Sequence, residues 1–260
     1  MEHGYALITG ATGVIGKHFA AEYAKRGYNL FITGRDGNKL AALRAELSAK
    51  DIICFPCDLS DAADRDKLYG HIKESGINIA RAVLVAGIDD EGPFAEFTKD
   101  QIRRMIRVNA EATIEITNEL IQISRASLKI VVISSLAAYF RMPLMSLYSA
   151  SKRMLYHFFF ALKEELKGTG VSATLVLPGA VPTRPDIIDR INAQGFFGRI
   201  SSTPPDKLAK KSVKKSERNR AVYVPGAFNK FLRTLSFIVP ARLVSKIAGM
   251  KWKKALKKKK

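Results

Sequence analysis

A single-domain α/β fold, a doubly wound parallel sheet with helices on both faces, is predicted by three features of this 260-residue sequence. Short apolar runs alternate with longer stretches of helical periodicity along most of the chain, the rhythm of repeated strand-helix-strand units. The runs AVLVA, KIVVIS and ATLVL are continuously apolar, as strands must be when helices cover both faces of a parallel sheet. A glycine-rich segment joins the first run to the first helix, where such a fold places its ligand-binding turn. With 47% hydrophobic residues the chain can bury a full core, and its length suits one domain.

The elements follow in order. Tyr5 to Thr9 reads as a strand, and Lys17 to Arg26 as a helix with Phe19, Ala20, Tyr23 and Ala24 at helical spacing. Asn29 to Thr33 (strand), Gly37 to Ala49 (helix), Ile52 to Cys57 (strand), Ala62 to Ser75 (helix) and Arg81 to Val85 (strand) continue the pattern. A helical stretch from Lys99 to Ser124 precedes the strand Lys129 to Ser134, the helix Ser146 to Lys167 and the strand Ser172 to Leu177. A last short strand is expected at Val222 to Val224. No internal repeat and no low-complexity segment precede the lysine-rich end.

The formal charge of +19 suggests nucleic acid until it is located along the chain. Residues 204–220 carry +5, residues 221–260 carry eleven Lys and Arg with no acid, and the first 203 residues hold only +3. The basicity belongs to a C-terminal tail with no recognition motif, so nucleic-acid binding is not expected. Cys54 and Cys57 form the one cysteine pair, in CFPC. It lacks the second pair or histidines a zinc site needs and does not open a helix as a redox pair does, so it reads as two small residues closing a buried strand, with no metal. The first strand begins almost at the first residue and no apolar run reaches the ~18 residues of a membrane span, which predicts a cytoplasmic location, peripheral on an inner membrane face where the tail meets lipid.

Between the first strand and helix lies TGATGVIG, Thr9 to Gly16. Gly10 permits the tight turn, Gly13 lets the backbone approach a pyrophosphate, and Gly16 lets the helix pack close with its N-terminus toward the phosphates. The fold is therefore of Rossmann type. At the tip of the second strand an acid would bind the ribose 2′-hydroxyl of NAD; here Gly34 stands there and Arg35 follows, suited to the 2′-phosphate of NADP. NADP(H) is therefore preferred over NAD(H), the competing reading being that Arg35 faces solvent and Asp36 meets the ribose. Asp58, expected to end the third strand, fits either an adenine contact or the N-cap of the next helix.

The segment Ser134 to Lys152, SSLAAYFRMPLMSLYSASK, carries the chemistry. Tyr148 and Lys152 are four apart and stack on one helix face, so the ammonium is expected to lower a phenol pKa that is otherwise near ~10 and make Tyr148 an acid/base. Ser135, thirteen residues before Tyr148, ends a strand and can donate a hydrogen bond to a substrate oxygen.

These motifs together resemble the short-chain dehydrogenase/reductase family, in its short single-domain branch, over about residues 5 to 190. TGATGVIG resembles the family's nucleotide turn, CDLSD its adenine contact, VAGI (Val85 to Ile88) its strand-four signature and RVNA (Arg107 to Ala110) its structural asparagine. SS at 134–135, YSASK at 148–152 and LPGAVPT (Leu177 to Thr183) resemble its active site and its segment against the nicotinamide. The resemblance implies that Tyr148 moves the proton, Lys152 lowers its pKa and holds the nicotinamide ribose, Ser135 orients the carbonyl and Asn109 supports a water-linked relay. Read without the family, Asn109 could instead be an ordinary helix residue capping a buried backbone group. Cofactor contacts implied are Gly10, Thr12, Gly13, Ile15, Gly16, Asp58, Leu59, Ala86, Gly87, Asn109, Tyr148, Lys152, Pro178, Gly179, Val181 and Thr183, joined by Arg35. Two positions depart from the pattern: the second glycine stands at 13 where the short branch has it at the place of Val14, and Val85 replaces a frequent asparagine.

By the same resemblance residues 1–226 form the catalytic domain, with a lid over about 184–215, and residues 227–260 form the tail. The lid offers Ile187, Ile188, Ile191, Phe196 and Phe197, and Met142, Leu144 and Met145 add to an apolar pocket, pointing to a small lipophilic carbonyl or alcohol of steroid or 3-oxoacyl type. The lid residues could instead bury against the body. The tail, with Phe228, Phe231, Leu232, Leu235, Ile238, Leu243, Ile247 and Trp252 among its lysines, reads as a basic amphipathic stretch broken at Pro240, fit for an anionic membrane surface or a neighbouring subunit. The resemblance implies a homodimer or homotetramer. Other function classes left open are an NADP-binding regulatory protein without catalysis, a membrane-surface adaptor, and an epimerase, which would need a larger substrate domain.

Overall fold

Seven parallel strands run through the centre of the protein in the computed structural model, which describes residues 4–124, 127–239 and 242. They are β1 (Tyr5–Thr9), β2 (Asn29–Gly34), β3 (Ile52–Pro56), β4 (Ile79–Leu84), β5 (Leu128–Ile133), β6 (Val171–Val176) and β7 (Val222–Tyr223). Their order across the sheet is β3-β2-β1-β4-β5-β6-β7, so the winding reverses between β1 and β4, the crevice where doubly wound sheets bind ligands.

Alternate residues of each strand face opposite layers. Leu7, Phe31, Leu84, Val132 and Leu175 pack with Leu68 and Ile72 of α3 (Ala62–Ser75), Ile116 and Leu120 of α5 (Ala112–Ile123), and Leu155 and Phe159 of α6 (Ser146–Glu165). Ala6, Ile8, Leu30, Ile32, Val83 and Val131 face Phe19 and Tyr23 of α1 (Val14–Lys25), Leu40 and Leu43 of α2 (Gly37–Glu46), and Leu208 and Val213 of α9 (Pro205–Glu217). Each such side chain buried on either face stabilises the fold by about 1.5–3 kcal/mol, and this is why the strands read as unbroken apolar runs.

Several boundaries move, for local reasons. The helix read from Lys99 to Ser124 is α4 (Lys99–Ile106) continuing through a π-bulge at 107–111 into α5, a feature that no periodicity argument detects. The third strand stops at Pro56, leaving both Cys57 and Asp58 beyond it. Asp61, not Asp58, caps α3, by accepting from Asp64 N, while Asp58 accepts from Ser60 N at 2.9 Å and Ser60 Oγ at 2.8 Å. Cys57 is buried and its thiol is pushed up to about 12 by burial and by Asp64 and Asp58, which leaves it protonated and inert. Residues 205–217, expected in the lid, are the core helix α9, with Leu208, Ala209 and Val213 buried against the sheet. Outside the layers stand α7 (Pro185–Ala193) and α8 (Gly195–Ser201), followed after β7 by α10 (Ala227–Ile238). The tail residues Leu243, Ile247, Trp252 and Pro240 lie outside the described residues.

Candidate active site

The phosphate end is made of backbone. Gly10 holds φ +60° at the close of β1, and a Cβ there would stand 3.0 Å from Ala86 Cα, so the loops after β1 and β4 touch at the crevice. At Gly16 a Cβ would meet Gly10 O at 2.3 Å, a contact no real side chain makes, so α1 lies against the turn only with glycine there. Gly13 is the N-cap of α1, with no side-chain cap and no acid in the first turn, which leaves the amides of a helix N-terminus, Ile15 included, open to an anion. The turn fits the pyrophosphate of a dinucleotide with the second glycine at 13.

At the tip of β2, Gly34 packs against Thr12, whose Oγ1 would be 3.3 Å from an added Cβ. Arg35 beside it is exposed, and Asp36 is committed to capping α2 by accepting from Lys39 N at 3.1 Å, the main cause of its lowered pKa. Of the two sequence alternatives for this tip, the one placing Asp36 on the ribose therefore loses its carboxylate to the helix. Asp58 and the buried Leu59 lie in the loop after β3, at the same carboxyl edge of the sheet.

Four side chains converge at the ends of β4 and β5. Ser135, which begins a 3₁₀ turn at Leu136–Tyr139, accepts from Ala137 N at 3.1 Å and stands close enough to the Tyr148 phenol to lower its pKa. Tyr148 and Lys152 share one face of α6, with Lys152 Nζ 5.9 Å from the Tyr148 ring centroid. Lys152 is 4% exposed, and its ammonium donates to Ile133 O at 3.1 Å. A Cβ on Gly87 would lie 3.3 Å from Lys152 Nζ and 3.4 Å from Asn109 Oδ1, so this glycine is the lid of both groups. Asn109, fully buried in the π-bulge, accepts from Ile88 N at 2.8 Å and donates to Ile88 O at 2.8 Å and Ser151 Oγ at 3.2 Å. It does satisfy a buried backbone group, and in doing so it fixes the loop after β4 against α6.

One electrostatic expectation is reversed. Burial pushes the Tyr148 phenol up to about 12; Ser135 lowers it, Asp89 raises it and Arg184 lowers it. Lys152 is itself lowered to about 8 by burial, opposed by Asp89, and its ammonium donates to the Ile133 carbonyl and not to the phenol oxygen. Spacing of four residues put the two groups on one face; it could not say which atom the ammonium would reach.

The loop expected to face the nicotinamide follows β6. Leu136 N donates to Pro178 O at 2.8 Å and Thr203 N to Ala180 O at 2.9 Å, which ties this loop, with Gly179, Val181 and Thr183, to the Ser135 turn and to the end of α8. A clasp not foreseen from sequence closes the mouth: Arg184 is bidentate to Asp89, at 2.9 and 3.1 Å, and Arg190 donates to Glu91 at 2.8 Å. The acid run Asp89 to Glu91 was its only hint, since the partners are about a hundred residues apart. Leu144, held at φ +67°, accepts from Gly92 N at 2.8 Å and closes the same loop from the other side. Of the apolar residues expected over the site, Met145 and Ile191 are buried, while Phe196 and Phe197 are exposed, not buried against the body.

The short chain dehydrogenase family model matches residues 4–190. This chain belongs to the short chain dehydrogenase family. The family uses a nicotinamide cofactor, which agrees with the uncapped helix and glycine turn of this dehydrogenase-family chain. Over 188 residues the chain is 33% identical to a very-long-chain 3-oxoacyl-CoA reductase of Phaeosphaeria nodorum, covering 69% of this chain and 55% of that protein. Over 182 residues it is 36% identical to the 11-beta-hydroxysteroid dehydrogenase-like 3 protein of Arabidopsis thaliana, covering 68% and 59%. The chain thus spans little more than half the length of these curated relatives. Among solved structures, a short-chain dehydrogenase from Sphingobium yanoikuyae in complex with NADPH superposes with TM-score 0.73 at 26% identity, covering 91% of this chain and 96% of that one.

Proposed function

We propose that this chain interconverts a carbonyl and a secondary alcohol on a lipophilic substrate of 3-oxoacyl or steroid type, with NADP(H) as cofactor and Tyr148 as the acid/base. The observation that carries it is the grouping of Ser135 with Tyr148, of Tyr148 with Lys152, and of Lys152 with Asn109 across Gly87, at the crevice beside the glycine turn. A bound nicotinamide supplies hydride exchange at a carbonyl carbon. Tyr148, with its pKa near 12, is protonated at neutral pH and donates its proton to the substrate oxygen, while Ser135 holds that oxygen by a hydrogen bond. Lys152, held by the Ile133 carbonyl 5.9 Å from the Tyr148 ring centroid, supplies a positive charge on the same helix face that favours the phenolate as it forms. Asn109 keeps the loop over both groups in place through Ile88.

The preference for NADP(H) rests on Gly34 at the strand tip, the exposed Arg35 guanidinium and the commitment of Asp36 to its helix. The lipophilic substrate rests on the apolar residues of the segments that flank Tyr148 and follow β6, Met142, Met145, Ile187 and Ile191, and on the names of the relatives. In this reading residues 1–226 are the catalytic domain, the lid is residues 184–203 with α9 returned to the core, and the basic tail from 227 meets an anionic membrane or a neighbouring subunit of a homodimer or homotetramer. Among the described residues no helix is long and apolar enough to cross a membrane. The test is oxidation of NADPH and NADH by the protein and by Arg35→Ala, against short aldehydes, steroid ketones and long-chain 3-oxoacyl thioesters. Turnover favouring NADPH and the bulky ketones, with a preference that collapses in Arg35→Ala, is the expected result. Tight NADPH binding with no turnover on any ketone would instead make the chain an NADP-binding regulatory protein.

A further inference from the structure

The lid helix α8 and the helix α10 share one exposed aromatic face. Phe196 and Phe197 on α8 are 65% and 58% exposed, and Phe231 and Ile238 on α10 are 59% and 73% exposed. The Phe197 and Phe228 rings, 5.9 Å apart, join the two helices. On α10 the outward stripe is Ala227, Phe231, Thr234 and Ile238, at the spacing of one helix face, while Leu232 packs inward on the core. Large apolar side chains exposed together on two adjoining helices mark a contact with another phase or partner.

We propose that this face docks on an anionic lipid bilayer, with α8 of the lid lying at the lipid boundary. The charge pattern selects that occupant: exposed Arg199 and Lys230 stand beside Phe197 and Phe231, and from Ala221 onward the chain has eleven Lys and Arg and no acid. A second copy would set the same patch against itself in a two-fold contact, and so cation against cation. The face is tied to the site. Buried Asn229 of α10 donates to Ser201 O at the end of α8, at 2.9 Å, and to Pro225 O at 2.8 Å, and a Cβ on Gly179 would lie 2.9 Å from its Nδ2. Docking therefore places the cleft mouth at the membrane, so that a lipophilic substrate passes from bilayer to cleft beside α8. The inference builds on the reading that the basic tail faces anionic lipid, and the test separates the two.

The chain has one tryptophan, Trp252, so Trp252→Phe gives a silent background for Phe197→Trp, Phe231→Trp and, as control, Phe160→Trp on the exposed face of α6. With phosphatidylcholine vesicles containing phosphatidylserine, the emission of Phe197→Trp and of Phe231→Trp should shift to the blue and be quenched by bromine-labelled acyl chains. That of Phe160→Trp should do neither. Replacing Phe196 and Phe197 together by Ser should weaken vesicle association about tenfold or more with helix content unchanged. Vesicle binding with no change in the emission of Phe197→Trp and Phe231→Trp would overturn this face and leave attachment to the part of the tail that follows α10. No vesicle binding would overturn both, and a blue shift that grows with protein concentration in the absence of vesicles would assign the face to a second copy.

Discussion

The two ends of the crevice are built from different material. At the phosphate end the contacts are backbone: Gly10 in the left-handed region, Gly16 with no room for a methyl group, and an uncapped helix N-terminus. At the substrate end they are side chains: the Ser135, Tyr148 and Lys152 cluster and the ion pairs of Arg184 and Arg190 with Asp89 and Glu91. The first end has no room for a side chain at Gly10 or Gly16. The second can be retuned by charge and by lid position. Binding of a common cofactor and selection of a particular substrate thus sit on surfaces with different sensitivity to mutation.

Tyr148→Phe should sharpen this contrast most. Losing the proton donor should lower kcat by about 10²–10⁴-fold, with NADPH affinity by fluorescence titration nearly unchanged. A matching loss of affinity would show that the two ends are not separable. Gly16→Ala should do the reverse, since its Cβ would lie 2.3 Å from the Gly10 carbonyl: a stability loss of about 3 kcal/mol in urea unfolding, together with loss of NADPH binding.

A third effect of comparable size is a pH dependence confined to the substrate end. Lys152 has its pKa lowered by burial to about 8, whereas in the unfolded chain it keeps 10.5. Between those values the unfolded state binds more protons, so stability should rise with pH from about 8 to about 10.5, and the cost of charging the buried amine is carried in full below pH 8. The difference in unfolding free energy between the cofactor-free protein and Lys152→Met should change by up to about 3 kcal/mol across that window. A flat difference would mean the amine is solvated. The smallest stability effect belongs to the clasp: Arg184→Met should cost no more than ~1 kcal/mol, because the pair is half-exposed. It should nevertheless shift KM and kcat together by loosening the lid, and unchanged kinetics would make the clasp a surface pair only.

The glycine turn, the strand tip without an acid, and the Ser135, Tyr148, Lys152 set were legible because each is a short local pattern inside one strand-turn-helix unit. The alternation of elements likewise gave the sheet and its two covered faces. The π-bulge, which aims Asn109 at the loop after β4, left no signal, since one extra residue in a helical turn barely alters periodicity. The placement of α9 in the core was hidden by its lysines, whose exposed face masked the buried line of Leu208, Ala209 and Val213.

By itself the sequence determined the fold class, and it picked out the glycine turn and the side chains proposed to move a proton, because these depend on residue type and near-neighbour spacing. Only the tertiary structure decided that Lys152 turns to the Ile133 carbonyl, that burial raises Tyr148, that Arg184 meets Asp89 and that Phe196 and Phe197 face outward. Burial, dielectric and long-range pairing belong to atoms brought together from distant parts of the chain, and no local pattern encodes them.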